Sequence, residues 1–557
     1  MKNSFAFYLA ACAVFSLSAA SEPISYNLAA ERAGRLFENL QLDIPRAQPI
    51  FLQKMKLGQE WLEALRSLTA ENAHDGADGV VKWLMVWNRC RYGSSPSTLI
   101  SRDAYRLRDQ FAINAADSAK IKESLPSLEP IVSELLYELE AIDRIERCRR
   151  RDITIQVVDK NGHPAPGARV ALQQTRHDFL FGCNVFRWEE RETPSQQSYR
   201  RLFAQLMNFA TIGFYWPAYE RAPGQTRRAY AAGAAKWCLE NGIIVKGHPL
   251  VWNFTDPSWL PEDPDKAQPL LMARIKREIE DFKGLIEIWD VVNEATVFDR
   301  KSFLQRAPKT TRLWQKAGQM ELTIEAFKTA RKANPRAELV INDYYLHNRE
   351  QADNDSSIEG EKHEIYEDVL EALVEENGEP LYDIIGVQSH MHNGAWPTKH
   401  ILSVVDRFAN YKKPLHFTET TIVSGTKKEK EQWETTMEGE WRQAEEVERF
   451  YRTVFSCPQV EALTWWDFSD DRAWQGAPAG LIRKDMSPKS AYERLLSLIK
   501  GEWWTQEEFL YEAEPVRTRA FLGDYTVAIT SKDGKKWERK FSLQRGEEPI
   551  DITIRMD

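Results

Sequence analysis

A chain of 557 residues, 43% hydrophobic and 28% charged, has a soluble globular composition with room for several packed cores, about two to four domains. Its formal net charge of -9 does not point to nucleic acid or an anionic membrane surface, and neither is expected as a partner. The 19 Trp, 18 Tyr and 25 Phe are plentiful; the tryptophans are partly core, but they are also what stacking on flat faces such as those of sugars needs.

Residues 1–20 read as a secretory signal: Lys2 supplies the charge, Phe5 to Leu17 the apolar stretch, and Ser18-Ala19-Ala20 a small-residue cleavage site. The apolar stretch is too short and too polar for a membrane span, and before Cys12 it is too short for a lipoprotein signal. The mature chain is therefore expected to be secreted or periplasmic, without membrane insertion, and to act as a monomer. Cys90, Cys148, Cys183, Cys238 and Cys457 remain, scattered and without CxxC spacing. That pattern indicates buried free thiols rather than a disulfide framework or a zinc site, so no metal or other cofactor is expected.

Residues 21–151 carry helical periodicity, as in Phe51 to Leu68 and Ile121 to Arg147. The basic run Arg147-Cys148-Arg149-Arg150-Arg151 fits the negative end of a helix at a solvated boundary. At Asp152 the period changes to two: Ile153, Ile155 and Val157 alternate with polar residues, Asn161-Gly162 turns, and Arg169 to Leu172 begins another strand. The wording resembles the opening strands of carboxypeptidase-regulatory-like β-sandwiches. Its complement is at 515–557, which predicts one sandwich split into halves at 152–175 and 515–557 around a large inserted domain, because neither half has strands enough alone.

Between the halves, 176–505 alternates short apolar strands with helices. The strands are Phe179–Val185, Met207–Thr211, Ile243–Gly247, Ile286–Val292, Glu338–Asn342, Ile384–Gln388, Pro414–Thr418 and Glu461–Trp466. This is the rhythm of an α/β fold, a (β/α)8 TIM barrel, whose chemistry sits at the C-terminal strand ends. Those ends gather His248 and Trp252, Asn293 and Glu294, Asn342, Gln388 and His390, Glu419, and Trp466. Two carboxyls with amides, imidazoles and tryptophans suit glycoside hydrolysis.

The motifs GHPLVW (247–252), WDVVNEA (289–295), INDYY (341–345), GVQSHMH (386–392), HFTET (416–420) and TWWDFSD (464–470) follow one another in order. Together they resemble family 10 of the glycoside hydrolases, the endo-β-1,4-xylanases. The likeness implies Glu294 as general acid/base and Glu419 as nucleophile of a retaining reaction, with carboxyls about 5–5.5 Å apart. It implies that His390 orients the nucleophile, that Asn293 meets the sugar 2-hydroxyl, and that His248, Trp252, Gln388, Trp466 and Trp474 bind sugar. It makes the substrate a polysaccharide or oligosaccharide, most directly xylan.

The second strand departs from the likeness. The family's Asn and Lys there are absent, and Thr211-Ile212-Gly213-Phe214-Tyr215-Trp216-Pro217 stands in their place, with Asn253 where a histidine often follows LVW. Tyr215 and Trp216 are expected to replace polar contacts by stacking, which changes the sugar fit while sparing the reaction centre. Two further readings stay open: a retaining β-glycosidase acting on another glycan or on xylooligosaccharides, and a non-catalytic carbohydrate-binding protein.

Overall fold

The structure, a computed structural model, describes residues 129–299, 301–344, 362–427 and 433–556. The expected signal at 1–20, most of the helical region at 21–151, and Cys90 lie outside them. In chain order the strands are β1 (Arg150–Asp159), β2 (Arg169–His177), β3 (Leu180–Asn184), β4 (Phe209–Gly213), β5 (Ile244–His248), β6 (Ile288–Asn293), β7 (Glu338–Asp343), β8 (Ile384–Met391) and β9 (Leu415–Ile422). They continue with β10 (Gly425–Lys427), β11 (Trp433–Thr435), β12 (Val460–Trp465), β13 (Gln506–Leu510), β14 (Val516–Phe521), β15 (Gly523–Thr530), β16 (Lys536–Leu543) and β17 (Ile550–Met556).

Strands β3 to β9 and β12 close into a parallel barrel, with β12 pairing both β9 and β3. All eight expected barrel strands are present. Every residue of β6 is buried, which is why that strand reads as a run rather than as an alternation. Phe209, Ile288, Val340, Ile384 and Ala462 form an apolar cluster, one residue from each of five barrel strands. The surrounding helices start where their caps dictate: Thr193 accepts the Gln196 N–H with Pro194 in the first turn, and Thr436 accepts the Gly439 N–H.

The flanking strands make two sheets, ordered β14-β1-β17 and β13-β2-β15-β16, so each sheet draws strands from both sides of the barrel. Ile153, Ile155 and Val157 pack with Val170, Leu172, Val527 and Ile529 between the sheets. The first flank runs slightly wider than 152–175, and the second begins before 515, with β13 at Gln506–Leu510 paired to β2. That edge strand has the sequence Gln-Glu-Glu-Phe-Leu, too polar to show alternation.

The sandwich sits against the N-terminal ends of the barrel strands. His177 at the end of β2 lies 3.1 Å through Nε2 from the Ile499 carbonyl, and Asn208 ties β4 back to the carbonyls of His177 and Phe179. The basic run is not the solvated boundary that its charge predicts. Helix Glu129–Cys148 ends there, and Arg149 is buried, donating to the carbonyls of Phe455, Cys457 and Val460 at 2.7, 2.6 and 2.6 Å. Those carbonyls are at and just beyond the end of helix Met437–Ser456, so Arg149 caps a neighbouring helix rather than facing water. Arg150 is buried too, paired with Glu146 at 3.0 Å and lying over Phe521. Of the cysteines, Cys183, Cys238 and Cys457 are buried free thiols, and Cys148 is half-buried and free.

Candidate active site

Strand β6 ends at Asn293, and Glu294 follows in the left-handed region at φ 57° and ψ 45°. That conformation costs a non-glycine residue about 1–2 kcal/mol. It is held by the Glu294 N–H, which reaches the Asn342 carbonyl on β7 at 2.8 Å. The carboxyl accepts the Trp252 indole N–H at 3.0 Å, with the amides of Asn293 and Gln388 at 3.4 and 3.5 Å on its other oxygen. Trp252 reaches it because its own segment adds to the rim, with Val251 bridged to Val292 beyond β5.

Glu419 lies in β9 and is 4% exposed. One oxygen accepts the Asn342 amide at 2.9 Å; the other is 3.2 Å from His390 Nε2. His248 Nε2 stands 3.8 Å away, while its Nδ1 is 2.6 Å from Asp290, which Lys246 meets at 2.8 Å deep in the barrel. Burial alone would push the Glu419 carboxyl up. His248, the His390 contact and the Lys246 charge outweigh it and hold Glu419 below the usual carboxylate range. Asp290 is likewise held low, burial being outweighed by Lys246 and His248.

Asn342 was legible as a strand-end amide but not as the hub it forms. Its amide nitrogen serves both Asn293, at 2.8 Å, and Glu419, and its oxygen accepts Thr418 at 2.5 Å. The Lys246–Asp290 pair gave no signal either, because a Lys and an Asp so far apart in sequence read as surface charges. Gln388 donates to Asn293 at 3.2 Å and is buried, so it steadies the amide cluster.

The aromatic residues divide into lining and packing. Trp466 meets His248, Phe186 and His390 edge-on at 5.4, 5.5 and 5.8 Å. Trp474, 40% exposed, lies over His390 at 4.5 Å. Trp252 stacks on Phe254 at 4.4 Å. Tyr215 faces this mouth, but Trp216 does not: it is buried against Trp259, its indole donates to Glu220 at 3.0 Å, and Arg277 clamps that carboxylate. The expected stacking role therefore falls to Tyr215 alone. Asn253 is also turned inward, donating to the Phe298 carbonyl and to Thr311. A third carboxyl, Asp467, follows Trp466; burial pushes it up to about 7, although it accepts the Trp474 N–H at 3.1 Å.

All nine residues expected at the site thus meet at one barrel mouth or directly support it. Among the described residues, no group of three or more His, Cys, Asp or Glu side chains could hold a metal. The arrangement pairs one carboxyl beside two imidazoles with another beside an indole, across an aromatic-lined opening.

Several known proteins are similar in sequence to this chain. The anti-sigma-I factor RsgI6 of Acetivibrio thermocellus is 25% identical over 424 residues, covering 75% of this chain and 50% of that protein. A β-1,4-xylanase of Dictyoglomus thermophilum is 30% identical over 248 residues, covering 43% and 64%. An endo-1,4-β-xylanase 5-like protein of Arabidopsis thaliana is 25% identical over 334 residues, covering 59% and 52%. The chain spans about half the length of most of these curated relatives. Xylanase 10B from Thermotoga petrophila, crystallised with xylobiose, aligns with TM-score 0.46 and 23% identity over 58% of this chain and 95% of its own. The family model for glycosyl hydrolase family 10 matches residues 172–498, from β2 through the closing helix. With that match spanning the whole barrel, the chain belongs to glycosyl hydrolase family 10.

Proposed function

We propose that this barrel, exported from the cytoplasm, cleaves β-1,4-linked glycans of the xylan type with retention of configuration. The observation that carries the reading is the asymmetry of the two carboxyls. Glu419, held ionised beside His248 and His390, attacks the anomeric carbon. Glu294, under the Trp252 indole, protonates the departing glycosidic oxygen. Water then enters, Glu294 takes its proton, and the glycosyl ester on Glu419 is released with the original anomeric configuration. Asn293, fixed by Asn342 and Gln388, meets the 2-hydroxyl, where hydrogen bonding strengthens as the ring becomes oxocarbenium-like. The xylanase names of several relatives support xylan as the substrate class.

The test is hydrolysis of an aryl β-xyloside, with the product anomer read by NMR. Wild type is expected to release the β-anomer first, and Glu419→Ala to lose at least ~10³-fold in kcat. Equal activity in the two proteins would refute the nucleophile assignment, and an α-anomer would refute retention.

A further inference from the structure

The ring of Tyr215 stands at the end of β4, 5.7 Å from Phe186 beyond β3, 5.6 Å from His248 on β5 and 5.8 Å from Trp252. Phe186 in turn meets Trp466 at 5.5 Å. One aromatic arc therefore runs from Trp252 through Tyr215 and Phe186 to Trp466. Behind the arc lies a cavity of about 240 Å³ lined by Tyr215, Phe186, Ile212, Tyr219, Tyr230 and Ala231. Tyr215 and Phe186 are the partition between the mouth and that cavity.

The arc borders the space beside Glu419. His248 and Trp466, which Tyr215 and Phe186 touch, are the groups gathered round Glu419 and His390, so the ring that Glu419 attacks lies within it. The leaving chain departs on the side of Glu294, which donates to it. A second sugar on the attacked ring's far side would have to cross the arc and give up its water to ring edges. Buried hydroxyls left without partners are costly, and a second sugar would bring several to that wall where a terminal ring brings only its own 4-hydroxyl. The Tyr215 phenol is kept neutral by burial, then by Glu419 more than by Glu294, which fits its place beside the attacked ring.

Resting on the retaining reaction proposed above, we propose that Tyr215 is a specificity-determining residue that closes the glycone side of the mouth, so that Glu419 attacks the nonreducing terminal sugar of its chain. The full chain, Tyr215→Phe and Tyr215→Ala are given xylohexaose isotopically labelled at its reducing end and, separately, an aryl β-xyloside. Products are read by mass spectrometry at early conversion. Wild type and Tyr215→Phe are expected to release single xylose units from the unlabelled end first. Tyr215→Ala, with mouth and cavity joined, is expected to release longer unlabelled fragments, its ratio of kcat/KM for hexaose over aryl xyloside rising about tenfold or more.

Longer unlabelled fragments from wild type overturn the proposal, and so does an unchanged pattern in Tyr215→Ala. The wild-type pattern decides alone if that variant does not fold. A wild type inert to both substrates overturns the reaction reading instead. Calorimetry with xylobiose then decides the wall, since equal affinity for wild type and Tyr215→Ala would refute it.

Discussion

Asn342 joins the two halves of the chemistry, because one amide nitrogen contacts both Asn293 and Glu419. Asn342→Ala removes both bonds at once. It is expected to lower kcat by about 10²-fold with little change in KM, as loss of a preorganised polar contact does; steady-state kinetics on the aryl xyloside checks this. Asp467 gives a second prediction, in stability. Its folded value of about 7 lies above an unfolded aspartate's, so the folded chain keeps the proton longer. That group's contribution is fully present below pH of about 4, falls as pH rises towards 7, and is level above. Asp467→Asn keeps an acceptor for the Trp474 N–H, so it is expected to gain thermal stability on wild type between acidic and mildly alkaline buffer. An offset constant across that range would sink the argument. Glu294 and Glu419 are legible as a candidate pair through the family likeness of six motifs in order, not through strand position alone: Glu294 follows β6, whereas Glu419 lies within β9. Asn342, Lys246 and Asp290 act through partners on other strands, and a chain read linearly does not show which strands are neighbours.

At the level of elements, the eight barrel strands were legible because burial on both faces leaves an apolar run that polar segments interrupt. The hairpin β10–β11 and the edge strand β13 were not, since short or edge strands carry charge on both faces. The arginine run was misread for a related reason: charge at a helix end normally means water, but Arg149 satisfies three carbonyls beside helix Met437–Ser456. Arg149→Met leaves those acceptors buried and is expected to cost about 2–4 kcal/mol, measured by urea unfolding. Because Arg149 lies at the barrel face opposite the mouth, kcat on the aryl xyloside should stay within about twofold.

On the scale of the whole molecule, sandwich and barrel share packing. Ile145 of the N-terminal helix and Phe521 of β14 belong to the barrel's own core, and His177 lies edge-on to Phe181, Phe455, Trp504 and Phe521. A chain trimmed to 178–505 uncovers Phe179, Phe455 and Trp503, and is expected to bind a hydrophobic dye and melt well below the full chain; native stability without dye binding would show the two units to be independent. The split was legible because strand period returned after the last barrel helix, although the depth of the shared core was not. The same connectivity sets a timetable for synthesis. Strand β1 takes β17 as its parallel neighbour, and Arg151 donates to the carbonyl of Glu548, 397 positions along. At about 5–20 residues per second, the edge of β1 waits roughly 20–80 s for that partner while the ribosome delivers the barrel. During that interval an unsatisfied row of backbone donors and acceptors is open to other chains, so yield during expression should depend on chaperone supply more than the finished fold's stability would suggest.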